Sequence, residues 1–233
     1  TFQLTKILYN KKHDSHGFIG YRSLDQTIYI VFRGTHSALN FLDDMTFYTM
    51  IYPACDKCQV HEGFYGAYLV LIPQIINEIK NLTLLYPNYR VIVTGHSLGA
   101  AIATFTTVDL IRLNLISNPI LINFGSPRIG NKETAIYISN LIPSSSRFRI
   151  THYRDAVPHV PTESQGYMHI AGEWYEENHN YYNNQRKLDS ENDLNIAINN
   201  HYNNNDNNNN NNNNINNDII NNNNNNNREN NIN

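Results

Sequence analysis

Arg90-Val91-Ile92-Val93-Thr94-Gly95-His96-Ser97-Leu98-Gly99-Ala100-Ala101-Ile102-Ala103 is the stretch on which the fold turns. Its first five residues are a β-branched run bounded by Gly, the pattern of a buried strand. Its last four are Ala-rich and apolar, the pattern of a helix. Only Gly95-His96-Ser97-Leu98-Gly99 separates the two, so the turn must be very tight. Glycine at both flanks removes the Cβ atoms that would clash between strand and helix. Ser97 is left on an exposed, strained corner with its hydroxyl outward, the geometry of a nucleophile elbow.

Outward from this stretch the chain alternates strands and helices. Thr27–Arg33 is a strand by its β-branched and aromatic content, with Gly17–Tyr21 as antiparallel partner and residues 23–26 as the turn. Residues 64–81 read as a helix with Leu69, Ile72, Ile75, Ile76 and Ile79 on one stripe, kinked or divided at Pro73. The elbow helix runs from about 97 to 113, Pro119–Phe124 is another buried strand, 131–141 a helix and Phe148–Tyr153 a further strand. This alternation predicts an α/β, doubly wound, mostly parallel sheet. Ligands of such sheets sit outside the carboxyl ends of the strands. Thr35, Ser97, Gly125 and Asp155 each fall just past one of those ends.

Composition bounds the rest. Residues 1–202 suffice for one α/β domain, whereas 203–233 are almost pure Asn. That tract has little to bury against its conformational entropy and reads as a disordered low-complexity tail. The net charge of −3, with no basic run, argues against nucleic acid as a partner. No apolar stretch reaches the ~18–20 residues that span a bilayer. The chain begins at Thr1, so the lack of a visible leader decides nothing about secretion. The two cysteines, Cys55 and Cys58, could form a redox pair, half a zinc site or a loop-stapling disulfide. The disulfide is favoured, which points to secretion or an endomembrane lumen while leaving the cytoplasm open. Asn81-Leu82-Thr83 is a lone glycosylation sequon.

A serine nucleophile needs a base, an acid that orients the base, and donors for the oxyanion. Asp155, in Arg154-Asp155-Ala156-Val157-Pro158 past a strand end, is the acid expected from position. His96, which abuts Ser97 inside the elbow, is expected to point back into the sheet.

The chain resembles the class 3, fungal-type triacylglycerol lipases. The resemblance rests on Phe32–Thr35, Val60–Phe64, the elbow, Phe124–Asn131, His152–Pro161 and His169–Tyr175, in the family's order. It implies an α/β-hydrolase fold with a short lid helix, and hydrolysis of lipid esters through an acyl-enzyme. Ser97 would be the nucleophile and Asp155 the acid, with oxyanion donors from Thr35 and Leu98. Residues 36–45 match the lid, an amphipathic stretch with Ala38, Phe41, Leu42 and Met45 on its apolar side. Of ten histidines, the resemblance favours His201 as the base, with His169 as fallback. It implies no metal and no organic cofactor, and a monomer acting at a lipid–water interface. The same scaffold also serves phospholipase A1, monoacylglycerol lipase and feruloyl esterase activities. A degenerate hydrolase fold that only binds is the reading outside enzymes.

Overall fold

The strand pattern folds as a seven-stranded sheet in the order β1-β2-β3-β6-β7-β8-β9. The computed structural model describes residues 1–35 and 46–177. The stretch 36–45, His201 and the expected domain boundary at residue 202 lie outside the described residues.

Strands β1 (Phe2–Asn10), β2 (Ser15–Arg22) and β3 (Thr27–Phe32) form an antiparallel meander. From β3 onward the pairing is parallel, through β6 (Arg90–His96), β7 (Ile120–Phe124), β8 (Arg147–His152) and β9 (Glu173–Glu176). Parallel pairing sends the carboxyl ends of β3, β6, β7 and β8 to one edge, where the expected site residues sit. A separate small sheet pairs β4 (Thr49–Ile51) with β5 (Gln59–His61).

The expected helix at 64–81 is two helices, α1 (Glu62–Leu69) and α2 (Ile72–Leu85). Pro73 sits in the first turn of α2, where its missing N–H costs nothing, so the break falls ahead of it. Leu69 therefore leaves the stripe and is exposed, while Ile75 and Ile79 are fully buried. Helix α3 (Leu98–Arg112) is buried almost all round, and α4 (Lys132–Leu141) starts at an Asn131 cap that accepts from Thr134 N. The core gathers Ile28, Ile30 and Phe32 of β3, Val91 and Val93 of β6, and Phe105 of α3, with Tyr52, Tyr65 and Tyr68 packed around that phenyl ring.

Three segments bear on the site indirectly. Strand β9 is fastened by Arg149, whose Nη1 donates to Glu173 Oε1 at 3.1 Å while Thr151 Oγ1 donates to the same oxygen. Cys55 and Cys58 are joined in a disulfide, Cα atoms 5.4 Å apart. Asn131 Nδ2 ties the loop to α4 through Lys57 O at 2.9 Å. His61 caps α1, its Nδ1 accepting from Phe64 N at 3.3 Å.

Candidate active site

Ser97 is held at φ 55°, ψ −123°, outside the conformations an L-residue ordinarily adopts, as the last residue before α3. Close packing on both sides enforces this. A Cβ on Gly99 would stand 2.5 Å from Phe32 O, and one on Gly95 would overlap the carbonyl of Gly99. Bare backbone at these two positions lets α3 leave β6 directly against β3. The Ser97 amide donates to Phe124 O at 3.0 Å, which pins the corner to the end of β7. Its Oγ is buried and has no hydrogen-bond partner among the described residues. A buried hydroxyl left unpaired costs free energy, so its persistence at a strained corner marks a functional constraint.

The expected partners converge on this corner. Gly34 lies against it: a Cβ there would be 3.2 Å from Ser97 Cβ. Thr35, next in the chain, has a buried Oγ1 that also lacks a partner among the described residues. Leu98 is the first residue of α3, so its N–H has no intrahelical carbonyl to bond. Thr35 thus follows the glycine that packs on Ser97, and Leu98 follows Ser97 itself at the positively polarised end of the helix.

Asp155 follows β8 by three residues. Its Oδ1 accepts from Val157 N at 3.0 Å, which fixes the carboxylate's rotation. Its Oδ2 faces Gly125, where φ is +53° and an added Cβ would overlap that oxygen. The same position is flanked by His96 Nε2, so the glycine that follows β7 lets the carboxylate approach the elbow. His96 is exposed and does not turn into the sheet. Val91, Val93 and Gly95 take the buried parity of β6, which leaves His96 on the opposite face at the strand's end.

Of the two histidines singled out, the structure describes one. His169 is half-buried, and its Nε2 donates to Pro158 O at 2.6 Å, because a carbonyl can only accept. Burial, and then the adjacent Arg149 guanidinium, push its pKa down to about 4. His61 is likewise pushed down to about 4 by burial. Both are neutral imidazoles at neutral pH. Neither hydrogen-bonds Ser97. Arg128 was not singled out beyond its motif, yet it grips the Asp155 loop, with Nη1 donating to His159 O and Pro161 O. Partners that are backbone carbonyls leave no mark in side-chain spacing, which hid this role from the sequence.

A mostly parallel sheet with a strained serine between strand and helix, and a carboxylate at the neighbouring strand end, defines the α/β-hydrolase architecture. The chain belongs to the class 3 lipases: the family "Lipase (class 3)" matches residues 29–165. Among curated relatives, it is 36% identical to a secreted mono- and diacylglycerol lipase A of Penicillium cyclopium over 162 residues, 70% of this chain and 52% of that one. A lipase of Rhizomucor miehei is also 36% identical, over 167 residues, 70% of this chain and 45% of the relative. The chain therefore spans about half the length of these relatives. Among solved structures, the Rhizomucor miehei triacylglyceride lipase superposes with a TM-score of 0.70 at 32% identity, covering 75% of this chain and 66% of that one. The lipase of Rhizopus microsporus var. chinensis superposes with a TM-score of 0.71 at 36% identity, covering 75% and 61%.

Proposed function

We propose that this chain is the catalytic domain of a secreted acylglycerol lipase, a carboxylic ester hydrolase working through an acyl-enzyme. The observation that carries the reading is Ser97: a strained, buried, unpaired hydroxyl at the edge where Thr35, Leu98 and Asp155 meet. Relatives named as mono- and diacylglycerol lipase and as triacylglyceride lipase support acylglycerols as the substrate class. The name of the mono- and diacylglycerol lipase as secreted, together with the Cys55–Cys58 disulfide, supports an oxidising compartment.

In this reading Ser97 Oγ attacks the ester carbonyl as the base takes its proton. The negative oxygen that forms is held by the N–H groups of Leu98 and Thr35 and by the Thr35 hydroxyl. The protonated base then gives its proton to the leaving alcohol, and water, activated by the same base, releases the acid. Asp155 Oδ2 orients the imidazole and balances its charge, while Oδ1 stays tied to Val157 N. The base is His201, with His169 as fallback. That His169 Nε2 is committed to Pro158 O and that Ser97 Oγ accepts no bond from His169 support His201. The stretch 36–45, with Ala38, Phe41, Leu42 and Met45, is the lid that covers the site in water and turns its apolar side to a lipid–water interface. The enzyme acts as a monomer with neither metal nor organic cofactor, and residues 203–233 take no part in the chemistry.

Ser97→Ala tests the proposal. The variant retains its fold by circular dichroism, loses labelling by a fluorophosphonate probe, and hydrolyses an acylglycerol on the order of 10⁴-fold or more slowly. Unchanged turnover refutes the assignment. Profiling on diacylglycerol against phospholipid separates the acylglycerol lipase from a phospholipase A1.

A further inference from the structure

The loop that leads away from Asp155 is gripped through its own backbone. Four successive carbonyls, those of residues 158–161, each accept a hydrogen bond from one of two residues. His169 Nε2 donates to Pro158 O at 2.6 Å. Arg128 Nη1 donates to His159 O at 2.7 Å and to Pro161 O at 3.1 Å. The Arg128 amide donates to Val160 O at 3.0 Å. Arg128 also lies three residues beyond Gly125, the glycine against which Asp155 Oδ2 packs. The β7 loop thus contacts Asp155 at one end and grips the chain beyond it at the other.

We propose that His169 and Arg128 are positioning residues, a two-sided clamp that sets where the Asp155 carboxylate points. The inference rests on reading Asp155 as the acid of the triad. The clamped carbonyls begin three residues after Asp155, and the intervening Val157 amide holds Oδ1, so rotation of the short turn at 157–159 carries the carboxylate with it. Misplacing a catalytic group by about 1 Å can cost on the order of 10²-fold in rate. His169 performs this as a neutral donor, since its own burial and then the guanidinium groups of Arg149 and Arg128 oppose protonation. Its other nitrogen, Nδ1, then carries the lone pair.

A double-mutant cycle on the full chain tests the clamp, with kcat and KM on one short-chain ester and the melting temperature of each variant. His169→Ala lowers kcat by about 10- to 100-fold with KM within about twofold of wild type. His169→Gln, whose amide reaches the position of Nε2, recovers most of that loss. In Asp155→Ala/His169→Ala the second substitution costs no more than about twofold beyond Asp155→Ala, because the clamp acts only through the carboxylate. Equal penalties from His169→Ala in the presence and absence of Asp155 overturn the proposal, as does wild-type kcat in a folded His169→Ala. Should His169→Ala not fold, Arg128→Lys, which keeps the charge but cannot span two carbonyls, enters the same cycle under the same criteria. Wild-type turnover in Asp155→Ala refutes the acid assignment itself and the clamp with it, an outcome distinct from additive penalties.

Discussion

Gly125 shows how much of this site depends on an absent atom. Its φ of +53° is readily adopted only by glycine, and the space a Cβ would occupy is held by Asp155 Oδ2. Gly125→Ala therefore incurs backbone strain of about 1 kcal/mol or more and displaces the carboxylate. Ester turnover is expected to fall by at least tenfold while ester KM changes little. Steady-state kinetics beside a thermal melt checks this, and an Ala variant with wild-type kcat contradicts it. At this scale the sequence was legible wherever a residue's chemistry is announced by its neighbours. The strained corner at Ser97 is legible from the glycines around it, and the place of Asp155 past a strand end from the strand pattern. The bonds from Arg128 and His169 to the loop after Asp155 are not, because their acceptors are peptide carbonyls that any sequence provides. Nor was the outward turn of His96, which depends on β6 continuing two residues past Thr94 and so on the parity of the strand's last residue.

The elements follow the same logic. Strands β3, β6, β7 and β8 and helices α3 and α4 are long and apolar enough for periodicity to mark them. Four strands escaped it for identifiable reasons. Strands β4 and β5 have three residues each, too few to show a period. Strand β1 lies at the edge with most of its side chains exposed, and its pairing slips between Leu4 and Lys6, so no alternation survives. Strand β9 is exposed along its length, so it shows no alternation; it is held by parallel pairing to β8, by Trp174 against Phe148 and by the Arg149–Glu173 pair. That pair predicts a measurable effect. Arg149 is only 5% exposed, so removing its counter-charge leaves a guanidinium short of compensation. Loss of one partner from a fully buried pair costs about 3–5 kcal/mol, whereas exposed pairs are worth about 1 kcal/mol or less. With Glu173 half in water, Glu173→Gln should fall between these limits, at about 1–2 kcal/mol. Urea unfolding checks the value. A loss under about 0.5 kcal/mol would show that β9 is held by its backbone pairing instead.

For the whole molecule, the buried His61 and the half-buried His169, both neutral, set a response to acid. His61 must keep Nδ1 unprotonated to cap α1, and His169 sits beside Arg149 and Arg128. Each has a pKa lowered from 6.5 to about 4 in the folded state. Between those two values the unfolded chain binds these protons and the folded chain does not, so stability rises with pH across this window. Each imidazole removes roughly 3 kcal/mol as pH falls from 6.5 to 4, at about 1.4 kcal/mol per pH unit, and no more below that. The sum is of the same order as the total stability of an ordinary domain. The carboxylates act in a lower window. Burial raises the pKa of Asp25 and Glu173, but their bonds to Arg22 and Arg149 prevail and leave both lowered. Their contribution is therefore present above about pH 4.5 and lost only below it. The two contributions separate experimentally with His61→Asn and His169→Gln together. Asn still accepts from the α1 amide, Gln still donates to Pro158 O, and neither titrates. The urea midpoint of the wild type is expected to fall steeply from pH 6.5 to 4.5, and that of the double variant to stay nearly flat until the carboxylates protonate. Equal slopes in the two proteins would assign the acid response to groups other than these histidines.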